Sequence, residues 1–476
     1  MEQKFRSLCI LLSVVIHTYG FAEEGDNQFY FNFQGDQISI EQALSRYIQF
    51  ESVSGEEKEA GEFLKNLCEQ NGLFITQMGE QNGNYNFAAS IQPLTKNLSN
   101  ILFLNHIDVV PAGDSTKWSK PPFSGIITKD EIWGRGAFDN KGAAIMQLAS
   151  IIEAKNLVQN YPDAYNVTFL AVSCEETQCD GGIKYVVENY FDQLNPCVII
   201  GEGPPSLNNI LQSDPEANIY GISLAHKRAF WLKLETTIET SGHGSITPLS
   251  YSNKELITAL SPLINSKQKA IFNDLNIRLL KDLGQLEKGL LSFVFKHPRV
   301  FKWIIVPQLR KQPKLFALFS NTITLTSISC NNDVINSIPN TTTANLDCRL
   351  LPEESRDDFL VEIRNKINNE LVKISVIYEM PRFKASNEES IFYKYLNNAI
   401  TKAHPDGHVL KMFSPNFNDT GIFRAKGVPA FSTIPVQMDL KYLRTVHSYN
   451  ERIPRGILNQ GKNIYVDFIK NCLHSE

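Results

Sequence analysis

Basic charge is in deficit: 46 Lys and Arg stand against 51 Asp and Glu, a formal net charge of −5. No basic stripe offsets this, which excludes nucleic acid as a natural partner. Cysteine is scarce, eight in 476 residues and irregularly spaced, so neither a disulfide framework nor a CxxC zinc knuckle is encoded. Any pairing among the cysteines is left open by their spacing. Phosphate loops are also missing. The segment GRGAFDNKG has its third glycine misplaced for GxGxxG, and no GK[ST] follows. SGHGS carries His243 where a serine hydrolase needs its nucleophile. There are no tandem repeats and no low-complexity tracts.

What is present divides the chain. Lys4 and Arg6 precede the apolar stretch LCILLSVVIHTYGFA, which predicts a secretory signal peptide over residues 1–22 and a secreted or periplasmic protein. Without that segment, 44 basic and 50 acidic residues and seven cysteines remain. The remaining length exceeds one compact core, so two domains are expected. Residues 37–72 read as helical. The apolar runs NFAASIQ, NILFLNHID, NVTFLAVSC and CVIIGEG follow, the last three separated by helical stretches. That alternation predicts a mostly parallel sheet sandwiched by helices.

From about residue 222 the rhythm changes to β-α-β-β-α-β, an α+β ferredoxin-like unit. Its first helix is followed by about fifty residues rich in large apolar groups, including GLLSFVFKHPRVFKWIIVPQLRKQPKLFALF. The expected division is a catalytic domain over 23–221, an inserted lid or dimerisation domain over 222–384, and the rest of the catalytic domain over 385–476. The apolar insert is expected either to fill helix core, to line a channel for an apolar acyl chain, or to face a membrane surface.

In such a sheet, ligands bind at the carboxyl ends of the strands. Four segments deliver imidazole or carboxylate there: His106 and Asp108, Asp139 before a helix, Glu175-Glu176, and Glu202. A fifth, around His447, can reach them. Histidine with carboxylates and no thiolate is a ligand set for a divalent metal, zinc most often. Five ligands are too many for one catalytic ion and suit two ions sharing a bridging carboxylate. Residues two apart on a strand share a face, so Asp108 is placed to fix the ring of His106. Glu175 and Glu176 cannot both point one way, so one can bind metal while its neighbour acts as general base. Cys174, beside them, reads as inert packing rather than a nucleophile.

The motifs LNHIDVVP, WGRGAFDNKG, VSCEETQCDGG, SGHGS, INSIP with DCRLLP, NDTGIF and VHSYNERI stand in an order that resembles the co-catalytic zinc exopeptidases. The likeness spans nearly the whole mature chain, and the lid insertion looks most like the carboxypeptidase S and N-acyl-amino-acid hydrolase branch. The resemblance implies two zinc ions, replaceable by cobalt or manganese: His106 and Glu202 on one, Glu176 and His447 on the other, Asp139 bridging. It implies Glu175 as general base, Asp108 orienting His106, His243 as oxyanion stabiliser, and Asn336 and Arg349 gripping a substrate carboxylate. The implied reaction is cleavage, by a metal-bound hydroxide, of the amide of a C-terminal or N-acylated amino acid in a small molecule or short peptide. A homodimer through the lid is a further implication.

Two departures matter. The nearest branches read Asp-Glu-Gly where this chain reads Gly201-Glu202-Gly203, so Glu202 must serve one residue later. Asp419-Thr420-Gly421 lacks the bulky or basic residue common at that place. The alternatives are a non-catalytic scaffold that has lost a metal, and an aminopeptidase of the same fold. The second would need an acidic pocket for a substrate ammonium, against which Arg349 stands.

Overall fold

A computed structural model describes residues 28–474 except 81, 82, 241 and 333; the expected signal peptide lies outside the described residues. An eight-stranded sheet runs in the order His408–Ser414, Ile219–His226, Ala430–Ser432, Pro196–Gly201, Asn100–His106, Asn166–Val172, Phe87–Ser90, Phe74–Gln77. The four middle strands, from Ala430–Ser432 to Asn166–Val172, are mutually parallel. Phe87–Ser90 and Phe74–Gln77 close one end antiparallel.

Both faces are covered, and the strands show it by their period of two. Ile101, Phe103, Phe169 and Ile200 pack into one apolar cluster with helices Ile40–Ile48, Lys141–Gln159 and Ile457–Leu473. Leu102, Leu104, Leu170 and Ile199 pack into a second with helix Ile183–Leu194. Buried on both sides, these strands need the continuous apolar runs that mark them in the sequence. The stretch expected as helix over 37–72 is two helices, Ile40–Ile48 and Lys58–Gln70. Between them Ser52 and Ser54 turn back toward the site: the Ser52 hydroxyl donates to the Ile107 carbonyl at 2.8 Å.

The second sheet is antiparallel, in the order Thr322–Cys330, Thr341–Leu350, Arg228–Thr237, Val372–Glu379. Helices Ser252–Asn265 and Arg356–Ile367 bury Leu256, Leu260, Phe359 and Ile363 against it. This is the ferredoxin-like order, interrupted by short helices between 274 and 316. The expected boundary at 222 falls inside a strand, because Ile219–His226 still pairs in the larger sheet with His408–Ser414. The chain changes sheets at Lys227, whose buried amine donates to Thr322 Oγ1 at 2.9 Å.

Candidate metal centre

Three neighbouring parallel strands end on one edge. Asn100–His106 presents His106, Pro196–Gly201 is followed at once by Glu202, and Asn166–Val172 leads through Ser173 and Cys174 to Glu175 and Glu176. Asp139 enters from the turn before helix Lys141–Gln159, and His447 from the segment after helix Leu440–Leu443.

The groups converge. Asp139 Oδ1 lies 3.2 Å from His106 Nε2, and Glu202 Oε2 lies 3.3 Å from the same nitrogen. Asp139 Oδ2 lies 3.2 Å from His447 Nε2, which is 3.1 Å from Glu176 Oε1. One carboxylate thus turns one oxygen to each histidine, the disposition a bridging ligand needs. His106, Asp139 and Glu176, and again His106, Glu175 and Glu202, bring ligand atoms within 4.8 Å of one another. Cys174 and His447 hold left-handed backbone, φ 64° and 55°, an uncommon conformation for residues with a side chain and one often found at functional sites.

The electrostatics fit divalent cations. Burial pushes the carboxyls of Glu176 and Glu202 up, and burial together with the charge of Glu202 pushes Glu175 well above the usual carboxylate range. Hydrogen bonds to Asp139 and Glu176 push His447 up to about 10. Burial would raise Asp139, yet the two histidines hold it below its ordinary value. A cluster that so favours added positive charge, with no thiolate among its donors, is the chemistry that hard or borderline divalent cations satisfy.

Around the ligands sits a buried frame. The His106 ring Nδ1 is 2.9 Å from the backbone carbonyl of Asp108 and 3.4 Å from its carboxylate. The shorter contact makes the carbonyl the ring's main partner. The carboxylate of Asp108 instead accepts from the amides of Glu175 and Glu176, each at 3.0 Å, and from the Ser54 hydroxyl at 2.6 Å. Asp108 therefore ties the strand end bearing His106 to the loop bearing the paired glutamates. Glu451 does the same for Asp139. Its carboxylate accepts from the amides of Gly136, Phe138 and Asp139 at 3.0–3.1 Å and from Arg135 Nη1 at 2.7 Å, the contacts with Gly136 and Arg135 being buried. Glu57 holds the Cys174 amide at 3.2 Å, and burial pushes its carboxyl to about 7.

A disulfide joins Cys174 to Cys179 across the Glu175-Glu176 loop, which corrects the reading of Cys174 as inert packing.

Position 201, just before Glu202, has little room for a side chain. A Cβ added to Gly201 would lie 2.4 Å from Thr420 Cγ2, so an aspartate there would collide with the helix Thr420–Ala425. Asp419, beside that helix, is buried with Oδ2 unpartnered and Oδ1 3.3 Å from Gln178 Nε2; burial pushes its carboxyl up to about 7.

The cluster opens into a cavity of about 610 Å³ whose far wall includes Trp231, Arg349 and Phe417. Arg349 stacks over the Phe417 ring at 4.3 Å, and its Nε and Nη2 pair with Asp347 at 2.7 and 2.9 Å. The lid also touches the glutamate loop, since the Tyr378 hydroxyl donates to Gln178 Oε1 and Gln178 Nε2 donates to the Glu175 carbonyl at 2.6 Å. His243 and Asn336 are elsewhere. They are neighbours on exposed lid loops, the Gly244 amide donating to the Asn336 carbonyl at 2.7 Å, and neither lines the cavity.

Sequence reading missed Ser54, Glu57 and Glu451. Glu451 stood inside VHSYNERI, a motif noted for its histidine. Glu57 stood in the charged stretch Glu56-Glu57-Lys58-Glu59, which looks like any solvated helix start.

Comparison with known proteins gives one answer. The profile of peptidase family M20/M25/M40 matches residues 102–471. A probable carboxypeptidase S-like 2 of Dictyostelium discoideum is 29% identical over 393 residues, covering 82% of this chain and 74% of its own. The N-fatty-acyl-amino acid synthase/hydrolase PM20D1 of Mus musculus is 25% identical over 455 residues, 92% and 88%. Among solved structures, the M20 family metallo-carboxypeptidase Sso-CP2 from Sulfolobus solfataricus superposes with a TM-score of 0.69 at 20% identity, over 91% of this chain and 99% of its own.

Proposed function

The chain belongs to peptidase family M20/M25/M40 and is a metal-dependent hydrolase, and from that premise we propose that its ions are two zincs and its substrate an N-acyl amino acid with a free carboxylate. The observation that carries this is the cavity itself. Asp139, turned to both histidines, and the guanidinium of Arg349 face one space, so an amide at the metal centre can be anchored by its carboxylate at the other wall.

Divalent ions held by His106, Asp139, Glu176, Glu202 and His447 would polarise the amide carbonyl and acidify water enough to attack at neutral pH. The rest is done by this chain's side chains. Glu175, buried and beside the ligands without pairing to either histidine, takes the proton of the attacking water and passes it to the amide nitrogen as the C–N bond breaks. Asp108 keeps Glu175 and Glu176 diverging by binding both their amides. Arg349, half occupied by Asp347, meets the substrate carboxylate with its remaining donors. His243 and Asn336 must arrive by closure of the lid or from a second copy paired through the lid, where they stabilise the oxyanion and the carboxylate. Names of relatives favour an acyl chain over a peptide at the amine side, as a fatty acyl group is in the name of the PM20D1 proteins.

Export is part of the same reading. Residues 1–22 have the pattern of a signal peptide, and the Cys174–Cys179 disulfide suits an oxidising compartment. The test is a hydrolysis screen over N-acyl amino acids and dipeptides with zinc added to chelated protein. Turnover of acyl amino acids that falls when the carboxylate is amidated supports the proposal. Activity only on peptides with a free amine, insensitive to that amidation, defeats it.

A further inference from the structure

The lid insert carries an unusual combination. From Lys288 to Asn332 there are seven Lys and Arg and no Asp or Glu, in a chain of net charge −5. Helices Asp274–Leu286, Gly289–Lys296 and Lys302–Arg310 bury one face, through Leu280, Val294, Ile305 and Leu309, in the cluster that also holds Phe413 and Phe423 of the catalytic domain. The outer face leaves large apolar side chains uncovered among its cations. Leu290 is 77% exposed, Phe293 52%, Val300 68% and Trp303 73%. The Phe293 ring lies 4.9 Å from His297 and 5.5 Å from Phe301, so the two shorter helices meet there.

Beside this ridge is a groove of about 530 Å³ lined by Lys281, Lys296, His297 and Arg299, with Asp274 and Asp282. Asp274 is taken by Arg299 at 3.1 Å. Lys281 and Lys296 form no ion pair among the described residues. Large exposed apolar side chains flanked by unpaired cations are the signature of an interfacial segment, and monomeric surfaces rarely leave such a group uncovered without a use.

We propose that this face docks the protein on a bilayer bearing anionic lipids, with Leu290, Phe293, Val300 and Trp303 entering the headgroup–acyl boundary and the cations meeting the headgroups. Charge decides the occupant. A second copy of the same basic face would bring like charges together, whereas an anionic leaflet complements them. An acyl chain bound for hydrolysis is served elsewhere, since no residue of the insert lines the catalytic cavity. Attachment would be peripheral, as no helix among the described residues is long and apolar enough to cross a membrane.

The proposal does not depend on the substrate, and its test needs no turnover. The full chain is sedimented with phosphatidylcholine vesicles with and without phosphatidylserine. The expected result is binding that requires phosphatidylserine, weakens as sodium chloride is raised, and falls at least roughly tenfold in Phe293→Ser/Trp303→Ser and in Lys281→Glu/Lys296→Glu. Melting temperature and hydrolysis of a soluble substrate serve as fold controls; should the first pair fail them, Lys281→Glu/Lys296→Glu carries the test alone. Absence of wild-type binding to phosphatidylserine vesicles overturns the proposal, as does binding unchanged in variants that pass the controls. Self-association that the Ser variant abolishes, without vesicle binding, would hand the face to a second copy and overturn it too.

Discussion

The metal edge and the lid carry functional side chains in opposite ways. On the edge, several of the converging groups are held by another buried group: Asp139 by the Glu451 frame, Glu175 and Glu176 by Asp108 and the disulfide, His106 by a backbone carbonyl. In the lid, His243 is exposed, its ring meeting the hydroxyl of its neighbour Ser245 at 2.7 Å from Nδ1. Buried hydrogen bonds and charge pairs are costly to break one-sidedly, so these contacts hold the edge groups in place. The difference teaches that gathering carboxylates and histidines on the sheet edge and presenting His243 on the lid are separate structural problems, solved in different domains.

Variants can break or sharpen that contrast. Glu175→Gln removes the proton carrier while leaving the five ligands, so turnover should fall on the order of 10³-fold or more with metal content unchanged. Stopped assays paired with metal analysis check it, and near-normal turnover would remove Glu175 as the base. Glu451→Ala leaves Arg135 buried without its partner and frees three amides, which should cost roughly 3–5 kcal/mol of stability. Urea titration measures that, and metal affinity should drop with it although Glu451 touches no metal. A loss below about 1 kcal/mol, the value of an exposed pair, would mean the frame is not what holds Asp139.

His243→Ala should do the reverse, lowering kcat by about 10²-fold, as for loss of one oxyanion donor, with melting temperature and metal content untouched. If it instead lowers metal content, the separation of the two domains' tasks is wrong. Smallest is the paired Cys174→Ser/Cys179→Ser variant. Closing so short a loop contributes about 2 kcal/mol, and the expected loss should appear in the wild type as well when reductant is added.

The contrast also explains what could be read from sequence. Apolar runs buried on both faces, and carboxylates or histidines at their ends, are one-dimensional signals, so the sheet and the gathering of His106, Asp139, Glu176, Glu202 and His447 on one edge were legible. Glu451 and Glu57 were not, because a carboxylate that binds backbone amides looks the same in sequence as one that binds water. The end of the strand Ile219–His226 is not legible, because Lys227, the turning point, is buried and gives no Gly or Pro signal. The use of Glu202 rather than position 201 had a visible cue in Gly201, but its cause, the methyl group of Thr420, lies more than two hundred residues away.

The central claim is that Glu202 is a metal ligand sharing an ion with His106, across the 3.3 Å gap seen between their side chains. Zinc counted per chain in wild-type protein and in Glu202→Gln, after dialysis against limiting free zinc, tests this most directly. A count of about two falling toward one is predicted, as for a two-metal site losing one ion's carboxylate. A count that is the same in both proteins, with hydrolysis also unchanged, would contradict it.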